Sequence, residues 1–166
     1  MDTAAIISTL VNHEIEGLTS TSSRDLTHRR NIEVNGEPVE MIVEFDSAGV
    51  SVSRTGTAGL PDGTADVVSH WFDLDTDIEA VDQQLGSSPR FSGQVSLRPG
   101  IRVTRHPGVF ESAILIVIGQ QISLAAARTF AGRLVAAYGE PAGDLRRFPL
   151  PRQLAGVPVE ELRAEL

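Results

Sequence analysis

The sequence predicts an α+β fold in which a small antiparallel sheet with helices is followed by a group of helices. The first observation is the stretch from Ile32 to Phe45, where apolar residues alternate with polar ones around Asn35-Gly36, a pair typical of a tight β-hairpin turn. The second is that residues 109–138 carry apolar positions at helical spacing, interrupted once. Strand signals come first and helix signals last, an order that indicates α+β and not alternating α/β structure.

Residues 1–88 form the predicted α+β domain. Its expected elements are a helix over 4–15, a weak strand within 16–28, the hairpin over 32–45, a third strand at Val50 and Val52, and helices near 64–72 and 77–85. Asp77 is the expected N-cap of the last helix, because its carboxylate can accept a hydrogen bond from a free backbone amide. One face of the sheet is expected to be apolar and the other acidic, and residues 89–99 are interpreted as a linker.

Residues 89–166 form the predicted helical domain. Its expected elements are helices over 109–118 and 124–138, a helical turn around 153–155 and a helix that opens near Pro158. The first helix is apolar nearly all round, which is typical of a helix buried in an interior. Gly119 ends it, Ser123 can cap the next helix, and Gly139 is expected at the C′ position that closes that helix. Because the sequence stops inside the last amphipathic pattern, we expect the chain to be part of a longer protein.

Metal and cofactor sites are not expected. The 166 residues include no cysteine, which excludes disulfides, thiolate metal sites and iron–sulfur clusters, and the four histidines lack the paired spacing of metal ligands. Asp73, Asp75 and Asp77 resemble the start of a calcium loop. However, Ile78 stands where the loop needs glycine, and Gln84 stands where it needs a bidentate glutamate.

The charge is distributed unevenly along the chain. The net charge is −8, yet residues 1–89 hold 16 acidic and 4 basic side chains, whereas residues 90–166 hold 6 acidic and 10 basic ones. A protein that is acidic overall can still bind nucleic acid through a local basic face. With neither a signal peptide nor an apolar run of membrane length, the sequence predicts a cytoplasmic protein without a membrane partner.

Two adjacent glutamines, Gln120 and Gln121, lie at the joint between the two most apolar helices. Such a joint presents hydrogen-bond donors and acceptors at a fixed place, as contact with a polar partner requires. The alternative is an ordinary helix–helix corner with its glutamines in water, since short polar joints are the usual connection between helices.

The segment RPGIRVTRHPGVFESAILIVIGQQISLAAARTFAGRLVAAYGE resembles DNA-3-methyladenine glycosylase II, the AlkA type within the helix-hairpin-helix glycosylase superfamily. The segments WFDLDTDIEAVDQQLG before it and FPLPRQLAGVPVEELRAEL after it extend the resemblance over most of the chain from Trp71 onward. RPGIR, FE, IGQQIS and AAR..AGRL..YGEP occur in the family's order and spacing. The resemblance implies a TATA-binding-protein-like sheet followed by the first helices of an all-α glycosylase domain. It also implies a partner, duplex DNA carrying alkylated bases, from which the family extrudes the damaged base and hydrolyses its glycosidic bond.

The same resemblance suggests which residues contact DNA. Gln121 stands at the position of the family's intercalating wedge, which is a leucine in the best-known members. The expected DNA-binding residues are Gln120, Gln121, Ile122, Ser123, Arg98 and Arg128.

Two parts of the family's catalytic unit are missing from this sequence. These are the LPGIG or FPGIG hairpin that holds a phosphate, and the aspartate that follows it. The segment from Leu154 to Pro158 lacks the second glycine, and Glu111 lies at a helix start, where acids are favoured in any case. We therefore assign no catalytic residue and expect the chain alone to be inactive. The hypotheses are the N-terminal portion of an AlkA-like glycosylase, a non-catalytic DNA-binding remnant or subunit completed by a separately encoded second half, and a self-associating interaction module.

Overall fold

The computed structural model describes residues 2–47 and 49–166. In chain order its elements are α1 (Thr3–Asn12), β1 (Thr19–Ser22), β2 (Thr27–Val34), β3 (Glu37–Phe45), β4 (Val50–Arg54), α2 (Thr64–Phe72), α3 (Ile78–Gly86), α4 (Ser92–Leu97), α5 (Val109–Gly119), α6 (Leu124–Tyr138), β5 (Pro141–Ala142), β6 (Leu145–Arg146), α7 (Pro151–Leu154) and α8 (Val159–Glu165). The predicted α+β order is confirmed. None of the helices in the described ranges is long and apolar enough to cross a membrane.

Four antiparallel strands form the main sheet in the order β1-β2-β3-β4. The central hairpin pairs Ile32 with Val39 and Val34 with Glu37, which leaves a two-residue turn at Asn35 and Gly36. Both turn residues have positive φ, 51° and 83°, as a type I′ turn requires. The turn predicted from Asn35-Gly36 is therefore confirmed, and it fixes the register that places alternate β3 side chains on one face.

The main core lies between that face of the sheet and helices α1 and α2. Its buried members are Ile6, Ile7, Leu10, Ile32, Val34, Val39, Met41, Val43, Phe45, Val68, Trp71 and Phe72. Trp71 stacks on Phe72 with ring centroids 4.5 Å apart, and Phe72 meets Phe45 edge-on at 5.0 Å. Each such side chain contributes about 1.5–3 kcal/mol by leaving water, so this cluster makes a large contribution to the stability of the fold.

A second, smaller core joins the segment after α1 to α6. Ile15 and Leu18, in the segment after α1, pack against Ala131 and Val135 of α6. The short hairpin β5–β6 adds a polar contact there, because the Asn31 side-chain amide of β2 donates to the carbonyl oxygen of Ala142 at 2.9 Å. This hairpin was not predicted from the sequence, because its two-residue strands are too short to show alternation.

Two predictions about helix boundaries need correction. Residues 89–99 are not simply a linker, since α4 (Ser92–Leu97) lies within them and the half-buried Val95 approaches Gly86 of α3. Gly139 ends α6 as expected, but its φ of −77° is not the left-handed conformation of a C′ glycine. A Cβ at this position would lie 2.5 Å from the carbonyl oxygens of both Val135 and Arg147, so close packing and not backbone freedom requires glycine.

The expectation that α5 is buried nearly all round is wrong. Glu111 is its one buried residue, and the apolar residues on one side of the helix are half-buried. The other side is open, with Val109 87% exposed, Ile116 59% and Val117 64%. In the part of the chain that the structure describes, α6 and the region around Phe148 cover only one side of this helix.

Candidate nucleic-acid interface

The glutamine turn, residues 119–123, connects α5 to α6 at an exposed corner. Gln120 has an extended backbone, and the side-chain oxygen of Ser123 accepts a hydrogen bond from the Ala126 amide at 3.2 Å, which confirms the predicted N-cap. Gln120, Gln121, Ile122 and Ser123 are all exposed. The turn therefore presents two amide side chains and one apolar side chain to solvent from between two helices.

Gln121 adopts a left-handed backbone conformation with φ 64°. This conformation is strained for a residue with a Cβ, at a cost of about 1–2 kcal/mol, and such residues concentrate at functional sites. Glycine would fit the backbone with less strain but would offer no side chain. The sequence predicted a polar joint at this place but not the left-handed conformation of Gln121.

The two arginines predicted to contact DNA occupy different environments. Arg98 is largely exposed, its guanidinium 3.6 Å from the carboxylate of Asp2. Arg128 is half-buried, and its Nε donates to the carbonyl oxygen of Glu14 at 2.6 Å, which ties α6 to the segment after α1. That these two arginines contact DNA stays a prediction. Arg128 also has a role within the fold, through its hydrogen bond to Glu14.

Two further arginines before α5 hold the end of α2. Arg102 donates to the carbonyl oxygens of Asp73 and Thr76, and Arg105 forms an ion pair with the Asp73 carboxylate at 2.7 Å. The hydrogen bond from the Thr76 hydroxyl is the main cause that places the pKa of Asp73 below its usual range, and Arg105 adds to it. In the segment that resembles a calcium loop, the first carboxylate, that of Asp73, therefore binds Arg105 and Thr76 of the protein itself. Residues 2–47 and 49–166 contain no cluster of three or more side chains able to hold a metal.

A buried ion pair connects the sheet to the helix that carries the glutamine turn. Arg30 of β2 donates to the carboxylate of Glu111, in the first turn of α5, at 2.6 Å, and the two side chains are 4% and 9% exposed. His106 Nδ1 lies 3.6 Å from the other carboxylate oxygen, and the Arg30 guanidinium lies over the Trp71 ring at 5.3 Å. Burial alone would raise the pKa of the Glu111 carboxyl, but Arg30 and His106 outweigh it and hold that pKa below its usual range.

His28 is the buried neutral neighbour of this pair. Its ring meets Trp71 edge-on at 5.4 Å, and its Nδ1 lies 2.9 Å from the Thr21 hydroxyl oxygen. Burial, reinforced by the charge of Arg30, lowers the pKa of His28 from 6.5 to about 3. Sequence spacing indicated no relation among the histidines, yet His13, His28 and His106 line one cavity of about 200 Å³ together with Arg30 and Glu111.

The chain is similar to known proteins in both sequence and fold. A family model described as the AlkA N-terminal domain matches residues 1–110. The chain is 43% identical over 90 residues to a probable bifunctional transcriptional activator/DNA repair enzyme AlkA of Mycobacterium tuberculosis, and 30% identical over 114 residues to DNA-3-methyladenine glycosylase 2 of Escherichia coli. In fold it is similar to 3-methyladenine DNA-glycosylase of Archaeoglobus fulgidus, with a TM-score of 0.80 at 18% identity. It is also similar in fold to the 8-oxoguanine glycosylase/lyase of Clostridium acetobutylicum in complex with double-stranded DNA, with a TM-score of 0.67 at 16% identity over 90% of this chain and 49% of that chain.

The chain corresponds to only part of each of these proteins. The matches cover 51% of this chain and 18% of the M. tuberculosis protein, and 65% of this chain and 38% of the E. coli protein. The fold match covers 99% of this chain and 58% of the A. fulgidus protein. The fold described above is thus the shared portion of longer polypeptides.

Proposed function

The chain belongs to the AlkA N-terminal domain family, and from that premise we propose that it takes part in base-excision repair of DNA. It contributes the α+β domain, residues 1–88, and the first helices of a glycosylase domain, residues 89–166, to the recognition of alkylated bases of the 3-methyladenine type in duplex DNA. The observation that carries the proposal is the exposed glutamine turn, which two helices hold with Gln121 in a strained conformation.

In this proposal the glutamine turn enters the space left when a damaged nucleotide swings out of the duplex. Unstacking a base costs a few kcal/mol, which a side chain in the vacated space partly offsets. The Gln121 amide can hydrogen-bond to the orphaned base, although it excludes water less well than the leucine of the best-known family members. Gln120, Ile122 and Ser123 line the same corner, and Arg98 and Arg128 are assigned to backbone phosphates.

We expect no glycosidic cleavage by this chain alone. The sequence lacks the hairpin and the aspartate of the family's catalytic unit, and the carboxylate of Glu111 is buried against Arg30. Incubating the purified 166-residue protein with alkylated duplex should release no more 3-methyladenine than a reaction without protein. Release above that background would contradict this part of the proposal.

Replacing Gln121 by alanine should weaken the preference for damaged duplex. The lost hydrogen bond to the orphaned base is worth about 1 kcal/mol, so we expect a loss of roughly fivefold in affinity for duplex with an abasic site, and little change for intact duplex. Fluorescence anisotropy with both duplexes measures the ratio of the affinity for duplex with an abasic site to the affinity for intact duplex. Gln83→Ala, which removes an exposed glutamine from α3, is the matched control. If the Gln121→Ala variant bound both duplexes as tightly as the unmodified protein does, the glutamine turn would not be part of the DNA interface.

A second candidate function, a self-associating interaction module, is supported by the apolar side of α5 that is open to solvent. Light scattering combined with DNA binding at two salt concentrations separates the candidates. A monomer whose DNA affinity falls with salt supports the repair function, because phosphate contacts release counterions. An oligomer that is indifferent to DNA supports the interaction module.

A further inference from the structure

Three arginines line one groove beside helix α6, here called the arginine groove. It has a volume of about 380 Å³, with Arg128 and Arg133 of α6 on one side and Arg146 of β6 on the other. Gly17 and Gly132 also line it, and a Cβ at Gly17 would meet no atom within 4 Å. The arginine groove therefore brings three cationic side chains together around an open space.

The positive charge of these three guanidinium groups is not neutralised by ion pairs. In residues 2–47 and 49–166, no carboxylate lies within 4 Å of any of them, whereas arginines such as Arg30 and Arg105 form such pairs. Each of the three donates instead to a backbone carbonyl oxygen at 2.6–2.7 Å, and the acceptors belong to Glu14, Leu166 and Gly139. A neutral acceptor fixes a guanidinium in place but leaves its charge and most of its five N–H donors for a ligand.

The charge and donor geometry of the arginine groove fit phosphate. Among the described residues that line it, Glu16 is the only acidic one, so the charged side chains carry an excess of positive charge. The planar fork of a guanidinium matches two phosphate oxygens at once. A local excess of this kind attracts phosphate even though the net charge of the chain is −8.

The arginine groove begins close to the glutamine turn. Helix α6 starts at Leu124, directly after that turn, and at 1.5 Å per residue Arg128 and Arg133 lie about 6 Å and about 14 Å along its axis. One strand of duplex DNA carries a phosphate about every 3.4 Å along the duplex axis, so this distance corresponds to several successive phosphates. A strand that meets the glutamine turn is thus long enough to continue along the arginine groove, whereas a free phosphate would occupy only part of it.

We propose that the arginine groove binds the backbone phosphates of a DNA strand next to the damaged nucleotide. This inference rests on the proposed function, because it extends the DNA interface from the glutamine turn along α6. It makes Arg133 and Arg146 DNA contacts in addition to Arg128. Contacts to phosphates strengthen binding to any duplex and carry no information about the base, so the groove adds affinity and not preference for damage.

Two exposed alanines of α6 provide a matched pair of variants. Ala136 lines the arginine groove, and the neighbouring Ala137 does not. Ala136→Glu should weaken binding to intact duplex by about fivefold or more at low salt. It should also make the plot of log affinity against log salt shallower by about 0.9, the effect of one lost phosphate contact. Ala137→Glu changes the net charge equally and should leave the affinity within about twofold and the slope unchanged. Fluorescence anisotropy with intact duplex at several salt concentrations measures both quantities.

Substitutions of Arg146 test the same groove from strand β6. Arg146→Gln should make the salt dependence shallower by about 0.9, whereas Arg146→Lys, which keeps the charge, should retain the slope of the unmodified protein. Because Arg146 also donates to Gly139, thermal melting by circular dichroism is used to confirm that each variant is folded. Ala136→Glu removes no hydrogen bond of the fold and keeps the test independent of that contact.

Equal affinities and equal salt slopes for Ala136→Glu and Ala137→Glu would overturn the inference. It would also be overturned if inorganic phosphate bound the unmodified protein but not Ala136→Glu, and did not compete with DNA, since the groove would then belong to a free anion. Failure of the proposed function is seen separately. In that case the unmodified protein binds intact duplex and duplex with an abasic site equally well, while Ala136→Glu still weakens binding to both.

Discussion

Glu111→Ala is expected to lower the free energy of unfolding by about 3–5 kcal/mol. The substitution removes the partner of Arg30, whose guanidinium is 4% exposed and which then stays buried without a compensating charge. In a protein of this length, each kcal/mol corresponds to a change in melting temperature of about 2–4 °C, so the transition should fall by about 6–20 °C. Urea denaturation followed by tryptophan fluorescence is a suitable measurement, because the one tryptophan, Trp71, lies beside Arg30.

The matched control is Glu37→Ala. Glu37 also pairs with an arginine, Arg54 at 3.0 Å, but its side chain is 53% exposed, and such surface pairs contribute about 0–1 kcal/mol. A double variant, Arg30→Met with Glu111→Leu, should be more stable than Glu111→Ala alone, since apolar side chains of similar size replace both charges. If Glu111→Ala were no more destabilising than Glu37→Ala, the buried pair would not hold the sheet against α5.

The parts of the fold that the sequence predicted are those with local signals. Asn35-Gly36 determines its own turn, Ser123 and Asp77 cap the helices that follow them, and α2 and α6 span the residues that their periodicity indicated. Each of these signals lies within a few residues of the structure that it specifies. A single sequence is sufficient to find them.

The features that the sequence did not predict depend on distant residues. Glu111 and Arg30 are 81 positions apart, so Glu111 was interpreted only as a favourable acid at a helix start. The periodicity of α5 correctly identified a helix that requires burial, but it could not show that the described chain covers only one side of it. The left-handed conformation of Gln121 was also not predicted, because residues with a Cβ other than Asn, Asp and His rarely adopt positive φ.

Acidification should destabilise the protein well above the range in which carboxylates titrate. The pKa of His28 is about 3 in the folded protein and 6.5 when the chain is unfolded, so the unfolded state binds a proton first. The resulting stabilisation is complete above pH 6.5 and is lost progressively as the pH falls from 6.5 toward 3, by about 1.4 kcal/mol per pH unit. Glu111 and Asp73, whose pKa values are also lowered, lose stabilisation in the same direction, but only below their ordinary carboxyl range.

The interval from pH 6.5 to pH 5 therefore separates the effect of His28 from that of the Glu111 and Asp73 carboxyls. Urea unfolding should show a loss of about 2 kcal/mol across it. His28→Gln, which cannot titrate, should remove most of that loss, whereas His13→Gln, at an exposed histidine, should retain it. NMR of the unmodified protein provides a second measurement that does not depend on how the variant folds, since the His28 imidazole should stay neutral down to about pH 4 while the protein is folded. Protonation of His28 near pH 6.5 in the folded protein would show that water reaches this ring, and that burial beside Trp71 and Arg30 does not control its charge.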